Sequence, residues 1–150
     1  MFKEITEIGK IDHIGIAVTD LATSINHYSN LLNFNLINEK SLIDHDIKIA
    51  FLKKFETSIE LLQPITSQPF ETGLLKEFTI HNFILKNKNN GIHHFCIQTN
   101  DLDKTTQNLS DMGIEKISDN ENWQGSDGSP ISFFNTLKIF GFLLEIKEKI

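Results

Sequence analysis

A strand-like run near the start of the chain, Ile11-Asp12-His13-Ile14-Gly15-Ile16-Ala17-Val18, returns 81 residues later as Ile92-His93-His94-Phe95-Cys96-Ile97-Gln98-Thr99. Each copy is followed at the same offset by Asp-Leu, at Asp20-Leu21 and Asp101-Leu102. A unit that occurs twice in 150 residues restricts the fold strongly, because what one copy forms the other must form too. Residues 11–18 alternate as a strand does. Asp20 can cap a helix in which Leu21, Ile25, Tyr28, Leu31 and Leu32 recur at the helical period, ending near Asn33 and Asn35. The runs IKIAFL (47–52) and SIELLQ (58–63), separated by the polar KKFET, read as a hairpin. The second copy repeats the order: a strand at 92–99, a helix from Asp101 with Leu102, Leu109 and Met112 turned inward and Gly113 at its C-terminal cap, then strands near 131–137 and 142–146. Two like modules, about 9–64 and 91–150, are therefore expected within one domain. Residues 65–90 bridge them, with a helix predicted in TGLLKEFTIHNFILK that buries Leu74, Leu75, Phe78 and Phe83.

Side chains alternate across a strand, so His13 shares a face with Gly15 and Ala17, while Ile14, Ile16 and Val18 take the other, which is expected to be the core side. The same register puts His94 with Cys96 and Gln98, so His94 matches His13 and His93 is the odd one out. Each half also ends in an apolar run interrupted by one acid, Ile59-Glu60-Leu61-Leu62 and Leu143-Leu144-Glu145-Ile146. A carboxylate inside such a run is costly to bury unless something neutralises it. Two imidazoles and two carboxylates at equivalent positions, His13, Glu60, His94 and Glu145, make a nest for one divalent ion. Mixed nitrogen and oxygen ligands suit Zn, Ni, Co, Mn or Fe alike.

The chain carries 14 lysines, no arginine and 20 acidic residues, for a net charge of −6. Nucleic acid and anionic membranes are thereby disfavoured as partners. Arginine grips a carboxylate or phosphate with two parallel bonds, so without it any anionic ligand must be held by lysine, backbone amides or a metal. Cys96 is the only cysteine, so no internal disulfide forms and a cytoplasmic location is expected. The first residues, MFKEITEIGK, contain no apolar signal-like core, and no run approaches membrane-spanning length.

Two loops could contribute further groups. Asp44-His45-Asp46 precedes the strand IKIAFL and reads either as an exposed polar turn or as a rim of substrate-binding groups, Asp44 and His45 foremost. The stretch 121–130 is the most glycine-rich loop; it reads either as a long hairpin connection or as a flap in which Trp123 packs on a ligand and Gly125 lets backbone amides approach an oxyanion.

The phrases IDHIGIAVTDL, IKIAFL, SIELLQP, GIHHFCIQTNDLD and GFLLEI resemble the vicinal oxygen chelate superfamily, which includes glyoxalases, bleomycin resistance proteins and dioxygenases, and most resemble its methylmalonyl-CoA epimerase-like branch. The resemblance implies an α+β fold of two paired βαβββ modules forming a cupped mixed β-sheet with flanking helices, usually in a homodimer. It implies a divalent metal on His13, Glu60, His94 and Glu145, with Glu145 and Glu60 as the candidate proton-transfer groups. The implied activity is epimerisation through an enolate of an α-carbon acid such as a methylmalonyl-CoA-like acyl-CoA. A glyoxalase-type lyase and a non-catalytic small-molecule-binding member are the alternatives.

Overall fold

The computed structural model describes residues 2–66, 76–118 and 124–149. Among them run β1 (Ile8–Ala17), α1 (Leu21–Leu32), β2 (Asn35–Leu42), β3 (Ile47–Lys54), β4 (Thr57–Pro64), α2 (Ile80–Asn87), β5 (Gly91–Thr99), α3 (Leu102–Asp111), β6 (Ile131–Phe134), α4 (Leu137–Phe140) and β7 (Leu143–Glu148). Single 3-10 turns occupy Ile43–His45 and Lys76–Phe78. The mixed α+β class is the one expected. The chain divides into two compact units, residues 13–93 and residues 2–12 with 94–149, and β1 supplies a segment to each.

In the unit 13–93 the strands are ordered β2-β3-β4-β1, with β1 parallel to β4 and the remaining pairs antiparallel. Asp20 caps α1 by accepting from the Thr23 N–H at 2.9 Å, and Asn33 ends it in the left-handed conformation at φ 60°. One face of the sheet, with Ala50, Leu52, Ile59 and Leu61, packs on Val18, Leu21, Ile25 and Tyr28. The predicted stripe fails at its last turn, where Leu31 and Leu32 are exposed. There the chain turns at Asn33, and Phe34 sets its ring edge-on to Tyr28 instead. The other face, with Ala17, Ile49, Leu62 and Phe51, packs against Ile80, Phe83 and Ile84 of α2. The bridging segment thus does form a helix, capped by Thr79 and burying Phe78 and Ile80, while Phe83 is half-buried; Leu74 and Leu75 lie outside the described residues. This second covering layer adds to the expected core side of β1, where Ile14, Ile16 and Val18 pack into the first cluster as predicted. His13, Gly15 and Ala17 are buried, and Ile14 and Ile16 are half-buried.

The residue pattern does not predict β2, whose residues are mostly exposed on both faces and carry no apolar alternation, although the βαβββ module implied by the resemblance requires a strand there. It pairs along its length with β3, with a bulge between Leu36 and Asn38.

In the other unit β5 runs parallel to β7, and β6 pairs antiparallel with β7. Asp101 caps α3 through the Lys104 N–H at 2.9 Å, and Gly113 follows the helix at φ 81°, as the sequence predicts. Leu102 and Leu109 pack with Ile114, Phe134, Leu144 and Ile146. The first module is a complete βαβββ unit; in the second, a bridge from Lys116 to Phe134 stands where the first module has β2. The strand predicted at 131–137 ends at Phe134. Leu137–Phe140 form a helical turn that reverses the chain, held by the Thr136 hydroxyl donating to the Phe142 carbonyl at 2.7 Å and by Gly141 at φ 82°. No helix among the described residues is long and apolar enough to cross a membrane.

Glu7 ties the leading segment to α3. Lys104 Nζ lies 2.9 Å from its carboxylate and Asn108 donates at 3.1 Å. The Lys104 contact, followed by a backbone amide, holds the Glu7 carboxyl below the usual carboxylate range. A lowered carboxyl contributes stability above its unfolded pKa, and that contribution is lost as pH falls through the folded value. Lys104→Ala should therefore melt lower than the parent at neutral pH, with the gap closing on acidification. Thermal melts across the acid range check this, and added salt should shrink the neutral-pH gap because Lys104 is exposed.

Candidate functional site

The duplicated histidines and acids pair within each unit. His13 on β1 sets its Nε2 3.5 Å from Glu60 Oε2 on β4, with both side chains more than nine-tenths buried. His94 on β5 sets its Nε2 3.4 Å from Glu145 Oε1 on β7, equally buried. The local reason is the parallel strand register, which puts Gly15, two residues after His13, beside Glu60, and Cys96, two residues after His94, beside Glu145. Side chains two apart share a face, so each histidine and its acid project from the same side of neighbouring strands.

The duplication extends to one further layer. Phe51 on β3 is the register partner of Glu60, and its ring meets His13 edge-on at 6.4 Å. Phe133 on β6 is the register partner of Glu145 and meets His94 edge-on at 5.3 Å. An aromatic edge restricts rotation of the imidazole and keeps water from its flank. Lys40 adds its ammonium 6.0 Å from the Phe51 ring centre. The signal was present in IKIAFL and ISFF, but a phenylalanine in a strand is ordinarily core, so only the register exposes the match.

The donor set suits a divalent cation. Nitrogen and oxygen ligands at about 2.1 Å from a shared ion stand about 3.0–3.4 Å from one another in octahedral or tetrahedral arrangements. The His94–Glu145 pair, at 3.4 Å, lies at the upper end of that spacing and the His13–Glu60 pair, at 3.5 Å, just outside it; both exceed the usual range of a good hydrogen bond.

His93, although adjacent to His94, is placed differently. It is buried, its Nε2 lies 2.7 Å from the Phe78 carbonyl, and its ring packs edge-on against Phe83. It fastens the bridging segment to β5. His93→Ala should cost about 2–4 kcal/mol in chemical denaturation through the lost bond and the cavity.

The outer groups are placed as follows. Asp44 is exposed and His45 half-buried on the 3-10 turn before β3. Asp46 is the structural member of that loop: buried at φ 57°, it accepts from the Thr66 N–H at 3.1 Å and the Thr66 hydroxyl at 2.8 Å. Trp123 lies outside the described residues. Gly125 donates its N–H to the Ser129 carbonyl at 2.8 Å, inside its own loop. A side chain at Gly125 would press on Ile131, its Cβ only 3.2 Å from Ile131 Cγ2.

Beside Glu145, a polar row continues on the same face of the unit. Lys147 Nζ contacts both oxygens of Asp12 at 3.3 Å and pairs with Asp127, while Gln98 donates to Asp12 at 2.7 Å. Burial pushes the Lys147 ammonium down, but Asp127 and Asp12 more than offset it and hold it above the ordinary lysine value.

Residues 12–133 match the family model described as the Glyoxalase/Bleomycin resistance protein/Dioxygenase superfamily. The chain is 29% identical over 142 residues to the mitochondrial methylmalonyl-CoA epimerase of Dictyostelium discoideum, covering 95% of this chain and 80% of that one. It is 28% identical to the ethylmalonyl-CoA/methylmalonyl-CoA epimerase of Cereibacter sphaeroides, covering 94% and 98%. The crystal structure of methylmalonyl-CoA epimerase from Mycobacterium tuberculosis superposes with a TM-score of 0.77 at 24% identity, covering 99% of this chain and 93% of that one, and shares the fold.

Proposed function

This chain belongs to the Glyoxalase/Bleomycin resistance protein/Dioxygenase superfamily, and from that premise we propose that it is a metal-dependent epimerase of an α-carbon acid carried as an acyl-CoA thioester, with methylmalonyl-CoA the model substrate. The reading rests on the repeated, buried His–Glu pair, His13 with Glu60 and His94 with Glu145. Relatives of similar length that are methylmalonyl-CoA epimerases support it. In this reading the two modules act as one domain, in a homodimer, and the four side chains hold one divalent cation.

A bound divalent cation supplies positive charge to a substrate with two neighbouring oxygens, which acidifies the adjacent C–H and stabilises the enolate. The chain's own residues then have three tasks. His13 and His94 donate neutral nitrogen, and the edges of Phe51 and Phe133 keep their rings in place. Glu145 accepts the α-proton as the C–H bond breaks and its electron pair moves toward the thioester oxygen. Glu60, the equivalent group of the other module, would start the turnover protonated and off the cation and give that proton to the opposite face of the carbon; Glu145 then loses its proton to solvent and Glu60 regains one, so the configuration inverts with no net gain or loss of atoms.

The experiment is solvent deuterium wash-in at the α-carbon of methylmalonyl-CoA, followed by mass spectrometry, with metal content measured on the same preparation. One exchangeable α-deuterium, dependent on the cation and removed by chelation, is the expected result. Metal-loaded protein that exchanges no deuterium across a panel of acyl thioesters would rule out the epimerase reading and leave a binding member of the superfamily.

A further inference from the structure

Lys147 stands out among the charged groups of the unit formed by 2–12 and 94–149. It lies two residues beyond Glu145 on β7, hence on the same face and about 7 Å further along the strand. Its partner strand puts Gln98 beside it, as Cys96 stands beside Glu145. Its side chain is only 16% exposed. In a chain without arginine, a lysine so placed is a means of holding an anion next to the reacting carbon.

The two carboxylates that hold Lys147 are not alike. Asp12 is fixed: it sits on β1, its side chain is 19% exposed, and Gln98 donates to it at 2.7 Å. Asp127 belongs to the loop between Gln124 and Pro130, its side chain is 51% exposed, and its other oxygen accepts from the Ser129 N–H at 3.0 Å. One partner is therefore built into the sheet, and the other is a solvent-facing carboxylate brought in by a loop. We infer that Lys147 is the specificity-determining residue for a free carboxylate on the acyl group, and that Asp127 occupies the position of that carboxylate until a dicarboxylic acyl thioester displaces it. The inference rests on the epimerase reading and deepens it by naming the side chain that selects a second carboxylate on the acyl group. Displacement exchanges one carboxylate for another at the same ammonium, so no buried charge is left unpaired. The loop that carries Asp127 is released as the substrate enters.

Two variants test this with opposite signs. Lys147→Met should raise KM for methylmalonyl-CoA by about tenfold or more, while deuterium wash-in on isobutyryl-CoA, which lacks the second carboxylate, should change far less. Asp127→Asn removes the competing charge and should lower KM for methylmalonyl-CoA several-fold without improving isobutyryl-CoA. A merely structural ion pair predicts the reverse for Asp127→Asn, with weaker binding of both substrates. Direct calorimetry with methylmalonate as the probe should show the same order, Asp127→Asn tighter than the parent and Lys147→Met weaker. The inference is overturned if Asp127→Asn binds methylmalonate no tighter than the parent, or if Lys147→Met affects both thioesters equally. It falls separately from the epimerase reading: a parent protein that exchanges methylmalonyl-CoA but shows either of those results loses only the role of Lys147. A parent that exchanges neither thioester loses both.

Discussion

On the metal-site proposal, His94→Ala, and equally His13→Ala, should abolish divalent-cation binding and the stability it confers. Each imidazole is buried against a carboxylate, so alanine deletes a nitrogen donor and leaves Glu145 or Glu60 inside the protein without the histidine that faced it. Cation affinity should fall by about 100-fold or more, since removing even groups that only orient ligands costs about 10–100-fold. A ligand present at about 100 times its Kd adds about 2.7 kcal/mol to stability, so the melting-temperature rise produced by the cation in the parent should disappear in both variants. Elemental analysis and thermal melts with and without chelator provide the check. Full metal occupancy in both variants would show that these histidines are not ligands. His93→Ala is the control, being buried next door but bound to the Phe78 carbonyl.

The second large effect is expected at Glu145→Gln. Glutamine matches the shape of the acid and still fits between Cys96 and Phe133, so the fold should survive. An amide cannot accept the α-proton, and turnover should drop by about 100- to 10,000-fold, the range ascribed to a positioned general base. Rapid-quench measurement of deuterium wash-in, alongside circular dichroism, separates lost chemistry from lost structure. A variant that keeps more than half of the exchange rate would remove Glu145 from the proton-transfer role.

What could be read without coordinates follows the physics of each element. The two histidine strands and the helices capped by Asp20 and Asp101 were legible because alternation, helical period and capping are local signals repeated in two copies. The four residues were legible as equivalent positions of the duplication, but the pairing of each histidine with its own acid was not, because it depends on the parallel register between strands distant in sequence. β2 was not legible, since an exposed strand has no buried face to impose a pattern. The burial of His93, and of Ala17 on the His13 face, was missed for a common reason. Both depend on α2 and the turn before it, and coverage by a distant segment leaves no trace in the covered strand. The Asp12–Lys147–Asp127 contact likewise joins residues far apart in the chain.

Among the described residues the strand order of the unit 13–93 begins at β2, and none of them pairs with the outer backbone edge of that strand. An open edge is a ready template for another extended chain, and here it carries apolar side chains as well, with Ile37 64% exposed. Glu39 and Lys40 interrupt that edge with opposite charges. Glu39 and Lys40 should therefore limit edge-to-edge association, and concentrated, salt-rich solutions that screen those charges are where self-association is expected first.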